Sequence, residues 1–204
     1  MFITFEGIDG CGKTTQLKLL YPWLKEQGLN PVITREPGGT ALGEQIRALL
    51  LSTQQGPQTP AAELLLYAAA RAELVTTVIQ PALQAGRLVI ADRFSDSTLA
   101  YQVWGRGLDR TWAQRVLSGA TGDLEPDLTL LFDLSPAVSL ARTKRGDRLE
   151  KESTDFFNRV RKGYLTLARE EKDRIRVIDV HHKDMAAIQA EVREKIGRLL
   201  IKHA

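Results

Sequence analysis

Gly7, Ile8, Asp9, Gly10, Cys11, Gly12, Lys13 and Thr14 match G-x-x-x-x-G-K-[ST], and these residue types at this spacing can hold a polyphosphate. Glycines let the chain turn back so that consecutive backbone N–H groups point inward at phosphate oxygens, where a Cβ would stand in the way. Lys13 then reaches the outer phosphates, and Thr14 offers a hydroxyl to Mg²⁺. A helix opening near Lys13 turns its unpaired N–H groups and positive dipole end on the same anion. Average residue frequencies produce the pattern by accident in a chain of this length on the order of 1 % of the time, and a strand before it with a helix after it makes accident rarer. Both are legible here. The apolar run Phe2-Ile3-Thr4-Phe5 precedes the glycines, while Leu17, Leu20, Tyr21 and Leu24 recur at helical spacing up to Gly28, a C-cap. Chemistry on a nucleoside triphosphate follows.

Other residues hold alternatives open. After a run from Pro31 to Thr34 comes Thr34-Arg35-Glu36-Pro37-Gly38-Gly39-Thr40, where Pro37 and two glycines set a tight turn. Arg35 either closes that turn or grips a phosphate with its planar fork. The run Leu88 to Ala91 ends in Asp92-Arg93. An acid there can order water around Mg²⁺, or the pair is a solvated salt bridge at a strand end. Tyr67 and Arg71 lie four apart and share a helix face, where a ring could stack on a base and a guanidinium bond its edge. The alternative is a half-buried Tyr beside a surface Arg. Arg142, Lys144, Arg145 and Arg148 crowd four cations into seven positions beside Gly146. They form either a solvated face or a flap, placed at 142–152, that closes over a transferring phosphoryl group. Cys11 is either a reactive thiol among N–H dipoles or a small loop filler. His181 and His182 lack a nearby third metal ligand and read as a turn.

The elements that must position these groups alternate. With Leu128 to Phe132 and Arg176 to Ile178, the five β-type runs interleave with helical patterns, which predicts a parallel sheet covered on both faces. In such sheets ligands bind beyond the carboxyl ends of the strands, where Arg35, Asp92, Arg93 and Asp133 fall. The fold class is therefore α/β, a three-layer P-loop NTPase fold with a mainly five-stranded parallel sheet, flanking helices and a short lid. Pro60 to Leu83 reads as one helix of roughly 24 residues, about 36 Å long. Its apolar residues cannot all face one sheet, so a second buried contact is expected, most simply from self-association.

Composition bounds the rest. The 204 residues are 43% hydrophobic with no linker-like stretch, which predicts one domain over 1–204. Lys and Arg total 28 against 25 acids, a balance that gives little support for a nucleic-acid binder, and Trp23, Trp104 and Trp112 are scattered. A lone cysteine, no signal-peptide pattern and no apolar stretch of about 20 residues point to a cytoplasmic protein without a membrane partner. A regulatory GTPase would want N-K-x-D, which the sequence lacks. A nucleic-acid-dependent ATPase would want an aromatic-studded basic groove.

Taken together, the chain resembles the thymidylate kinase (dTMP kinase) family of P-loop nucleoside monophosphate kinases. The residues that carry the likeness are Phe5-Glu6-Gly7 through Thr14-Thr15, Thr34 to Thr40, Tyr67 to Arg71, Asp92-Arg93 with Ser97-Thr98 and Tyr101-Gln102, and Arg148 to Ser153. The resemblance implies transfer of the γ-phosphoryl of ATP to dTMP with Mg²⁺, on a homodimer whose interface includes the long helix 60–83. It implies ATP on Lys13 and the loop from Gly7 to Thr15, Mg²⁺ on Thr14 with Asp92 acting through water, and the dTMP sugar hydroxyl on Asp9. Arg35 and Arg93 would take the dTMP phosphate, Tyr67 would stack on thymine where the family usually has Phe, and Arg71, Thr98 and Gln102 would line the base site. With Gly10 where some members carry a catalytic arginine, the chain is similar to the class whose arginine lies in the lid. Arg145 and Arg148 are then the catalytic candidates beside Lys13 and Arg93, in a lid a few residues shorter than that class shows. Spacing alone leaves kinases of other nucleotides or of deoxynucleosides as alternatives.

Overall fold

Phe2–Glu6 (β1), Val32–Arg35 (β2), Val89–Asp92 (β3), Leu128–Asp133 (β4) and Ile175–Asp179 (β5) pair in parallel, in the order β2-β3-β1-β4-β5. The computed structural model describes residues 1–54, 56, 58–143 and 146–202. Each strand starts or ends within a residue or so of the run read from the sequence. All of β1 and the first five residues of β4 are buried, as expected of central strands covered on both faces. Edge strand β2 is half open, with Ile33 and Arg35 exposed.

The connecting helices are Lys13–Glu26 (α1), Ala41–Leu51 (α2), Pro60–Leu74 (α3), Gln80–Gln84 (α4), Ser95–Thr98 (α5), Arg110–Thr121 (α6), Pro136–Arg142 (α7), Thr154–Glu170 (α8) and Met185–Lys202 (α9). On one face Leu17, Leu20 and Leu24 of α1 and Val192 and Ile196 of α9 pack on Ile3, Phe5, Leu130 and Ile178. On the other, Phe156, Phe157, Val160 and Tyr164 of α8 meet Leu99, Tyr101 and Leu131, while Leu74, Val75 and Ile79 meet Phe2, Val89 and Phe94.

The predicted helix over 60–83 is a helical run interrupted by a π-helical turn at Val75–Ile79 before α4. Its N-terminus is set locally, with Thr59 accepting a hydrogen bond from the Ala62 N–H and Pro60 at a position where a missing N–H costs nothing. The second buried contact comes from within the chain. Ala70 packs with Ile46 and Leu50 of α2, and Leu64 packs in a cluster with Ala113 and Leu117 of α6. What remains uncovered is a narrower stripe, Ala62, Leu65 and Ala69, in which Leu65 is 51% exposed.

Candidate active site

Parallel registry brings three strand ends to one level: Phe5 aligns with Asp92, and Asp92 with Arg35. The glycine loop springs from β1 at this level. Gly7 has φ 135°, and a Cβ there would lie 2.5 Å from the Phe132 carbonyl oxygen and 2.9 Å from Cys11 Sγ, so the turn admits no side chain. Lys13 folds back along the loop, its ammonium donating to the carbonyls of Gly7 (2.9 Å) and Ile8 (3.2 Å). Thr14 Oγ1 donates to Asp92 Oδ2 at 3.0 Å, which sets a hydroxyl and a carboxylate, both hard oxygen donors, side by side. Burial pushes the Cys11 thiol up, against the pull of Lys13, and its side chain belongs to the core cluster beneath the loop. That favours the filler reading over the reactive thiol.

A large cavity of about 1360 Å³ is lined by Asp9, Gly10, Gly12, Lys13, Thr14 and Thr15 with Arg35, Asp92 and Arg142. Beside it a smaller one is lined by Tyr67, Arg71, Ser97, Thr98, Tyr101 and Gln102. Asp9, Glu36, Arg47 and Arg93 line both. Gly7, Ile8 and Cys11 face neither cavity and serve the loop's shape.

Arg93 stands at the junction. It is in the left-handed region at φ 77°, unfavourable for a residue with a side chain. Its guanidinium donates to Asp9 Oδ1 (2.8 Å), Ser97 Oγ (3.1 Å) and Tyr164 OH (3.2 Å), with its Cζ 5.3 Å from the Tyr101 ring centroid. Burial pushes the Asp9 carboxyl up, but Arg93 and Lys13 outweigh it and hold the group below the usual carboxylate range. Asp9 therefore stays ionised.

Beneath Arg93 lies Glu6, fully buried at the end of β1. It accepts hydrogen bonds from the Phe94 N–H (2.7 Å), Ser97 Oγ (2.5 Å) and Tyr164 OH (3.1 Å), so it fixes two of the groups that hold Arg93. Burial, reinforced by the charge of Asp96, pushes its carboxyl up from 4.5 to about 7, against the hydrogen bond from Ser97 and the charge of Arg93. Between those two values the folded chain holds a proton that the unfolded chain has lost. The stability from this group is therefore full below pH 4.5 and fades as pH rises through about 7. Glu6→Gln, with no proton to lose, is expected to flatten this dependence, so that the wild-type Tm minus the variant's falls between about pH 5 and 7.5. Parallel melting curves across that range would exclude the assignment.

Tyr67 and Arg71 share the face that lines the smaller cavity, but Arg71 is not a surface residue. It is 1% exposed, donates to Glu36 Oε2 through Nε (2.7 Å) and Nη2 (2.5 Å) and to Thr98 Oγ1 (2.9 Å), and lies over the Phe94 ring. Its Nη1 and Glu36 Oε1 are buried without a hydrogen-bond partner among the described residues. Arg35 is paired with Glu44 at 3.0 Å and lines the larger cavity alone. Of the lid cations, Arg142 lines the larger cavity, and Arg148 donates to Glu63 Oε2 (2.5 Å) and the Leu50 carbonyl (3.0 Å). Arg145 lies outside the described residues. Asp133, at the strand edge as expected, is engaged by Arg161 at 2.7 and 2.8 Å and lines neither cavity. His181 sits in the predicted turn, bridging Asp179 (2.7 Å) and the Ser135 N–H (2.8 Å). Sequence reading missed Glu36, Arg47, Glu63 and the supporting role of Glu6. Glu63 carries the one usable signal, a single charge within the apolar stretch Pro60 to Ala70.

A thymidylate kinase family model matches residues 5–192. A thymidylate kinase of Synechococcus sp. (strain JA-3-3Ab) is 56% identical over 179 residues, covering 88% of this chain and 87% of that protein. One of Desulfovibrio desulfuricans is 50% identical over 189 residues, with the same coverage. The crystal structure of thymidylate kinase from Ehrlichia chaffeensis superposes with a TM-score of 0.80 at 36% identity, covering 97% of this chain and 98% of that one. With a phosphate-type loop and a second pocket that shares Asp9, Glu36, Arg47 and Arg93 with it, and with relatives matched over most of their length, the chain belongs to the thymidylate kinase family.

Proposed function

We propose that this chain transfers the γ-phosphoryl group of ATP to dTMP, giving dTDP and ADP and so supplying dTTP for DNA synthesis. The observation that carries the reading is that Arg93 and Arg47, with Asp9 and Glu36, line both cavities, so cations and acids stand together where a donor and an acceptor phosphate would meet. On the donor side, Lys13 exchanges loop carbonyls for phosphate oxygens, and the amides of the loop between Asp9 and Thr15 that face the cavity take the rest of the chain of phosphates, on a turn shaped by Gly7, Ile8 and Cys11. Mg²⁺ fits the Thr14 hydroxyl and, through water, Asp92. Among the described residues no three His, Cys, Asp or Glu side chains form a metal cage, in keeping with a cation that draws its other ligands from phosphate and water. When bound, it screens the phosphate charges.

On the acceptor side, Arg93 takes the dTMP phosphate, joined from the larger cavity by Arg35 once it leaves Glu44, Asp9 takes the sugar hydroxyl, and Tyr67 stacks on the ring. The unpartnered Nη1 of Arg71 is a donor suited to a ring carbonyl, with Thr98 and Gln102 beside it. No covalent protein intermediate is needed. Two anions are aligned, their repulsion is screened by cations, and water is kept out, for which the lid at 142–152 serves. Arg145 and Arg148 are the lid arginines proposed for the transferring group. Arg142 already lines the phosphate cavity, whereas Arg148 must first leave Glu63.

Coupled ADP release across a panel of nucleoside monophosphates tests the whole reading. dTMP is expected to be the preferred acceptor, with little ATP hydrolysis in its absence. Preference for another acceptor, or turnover with none, would overturn it. We further propose a homodimer, seated on the stripe Ala62, Leu65 and Ala69, because a contiguous exposed apolar strip on a helix suits a partner helix face. Leu65→Glu is expected to shift the wild-type dimer to monomer in sedimentation velocity, and an unchanged dimer would place the interface elsewhere. No described helix is long and apolar enough to cross a membrane, and the single buried cysteine asks for no oxidising compartment, which supports a cytoplasmic location.

A further inference from the structure

Glu63 is fully buried, and its carboxylate serves four donors. Oε1 accepts from Gln102 Nε2 (2.8 Å) and Arg106 Nε (3.1 Å), and Oε2 from Arg106 Nη2 (3.2 Å) and Arg148 Nη2 (2.5 Å). Burial pushes this carboxyl up, but Arg106, Gln102 and Arg148 outweigh it and hold the group below the usual carboxylate range, so it is ionised. An ionised carboxylate can only accept, and the Gln102 amide must therefore turn its nitrogen toward Glu63. Gln102 lines the smaller cavity and Glu63 does not. The amide oxygen is the polar atom left for the cavity.

We propose that Glu63 is a positioning residue for base selection: it locks the Gln102 amide so that the pocket offers an acceptor to a ring N–H and refuses a bare ring nitrogen. The inference rests on reading the smaller cavity as the base pocket. There the Arg71 Nη1 donor and the Gln102 oxygen acceptor complement an edge with a carbonyl beside a ring N–H, as in thymine. Cytosine presents an amino group and a lone pair in those places and opposes both. A free amide would swap its ends to suit either base. Held by a charged partner, it cannot turn without leaving a buried carboxylate facing an oxygen.

The test is the ratio of kcat/KM for dTMP to that for dCMP in wild type, Glu63→Gln, Glu63→Asp and Arg106→Gln. A glutamine at 63 either donates or accepts, which frees Gln102 to turn, and the dTMP preference is expected to fall at least about tenfold. Glu63→Asp, which restores the carboxylate, should recover much of it. Arg106→Gln disturbs the same ion cluster without releasing the amide and should keep the wild-type ratio whatever its turnover. Equal losses on both nucleotides in Glu63→Gln would overturn the assignment. A wild-type enzyme inactive on dTMP would instead overturn the functional reading beneath it. Wild-type protein gives an answer that does not depend on the variant folding. The Gln102 side-chain NH₂, identified by its absence in Gln102→Leu, should exchange hydrogen slowly with and without dTMP, and exchange as fast as at surface amides would overturn the lock.

Discussion

Arg93→Ala is expected to lower kcat/KM for dTMP by roughly 10³-fold or more, the scale at which a positioned arginine acts in phosphoryl transfer. ATP binding, measured by titration without dTMP, should stay within a few-fold of wild type, because Lys13 and the loop amides lie on the other side of the junction. The loss should fall on both turnover and dTMP affinity, since this guanidinium lines both cavities and is proposed to hold the acceptor phosphate as charge develops on the transferring group. Alanine at φ 77° keeps the same uncomfortable backbone, so the experiment isolates the side chain. Arg93→Lys is the sharper comparison. A lysine keeps the charge but cannot span Asp9, Ser97 and Tyr164 with one planar group, and should recover only a minor part of the loss. Normal steady-state kinetics in Arg93→Ala would remove this residue from the reaction.

Lys13→Met should cost roughly 10²- to 10³-fold or more in kcat, the range for deleting one fixed donor to developing negative charge. It should also leave a mark on the protein alone. Lys13 is 6% exposed and satisfies the carbonyls of Gly7 and Ile8, so its loss removes their donor at about 1–3 kcal/mol for each acceptor left buried and unpaired. A lower Tm in the absence of nucleotide, together with slow phosphoryl transfer in single-turnover mixing, is the expected pair of results. Slow transfer caused only by weak ATP binding, rescued at saturating ATP, would count against a role in the chemical step.

The sheet and the phosphate loop were legible because both are written locally. Interior parallel strands are buried on both faces and show as mainly apolar, β-branched and aromatic runs, as in Phe2–Phe5 and Leu128–Phe132, each broken only by a buried threonine. The loop is legible because backbone geometry demands glycines at fixed intervals. The shared face of Tyr67 and Arg71 follows from helical spacing, but the burial of Arg71 does not, because it depends on Glu36, 35 positions away in the chain. The same holds for Glu6, whose partner Tyr164 is 158 positions off, and for Glu63, which meets Arg148 across 85. A buried charge reports itself in sequence only as an oddity. The self-association expected of the long helix shows a further limit, since apolar periodicity says that a face is covered and not by what; α2 and α6 cover much of it here. The π-helical stretches at Val75–Ile79 and Leu99–Gly105 have no periodicity signal of their own, although the second carries Gln102 into the pocket.

Four residues belong to both hollows, and the other lining residues belong to one or the other. The larger hollow is built on the glycine loop, the ends of β2 and β3 and the adjoining turns of α1 and α2, whereas the smaller is built largely on α3, α5 and the irregular turn after it. An enzyme arranged this way can exchange its taste in bases by rewriting a few helical side chains around Gln102 and Arg71. The glycine loop proposed to grip the triphosphate goes on unaltered beside it.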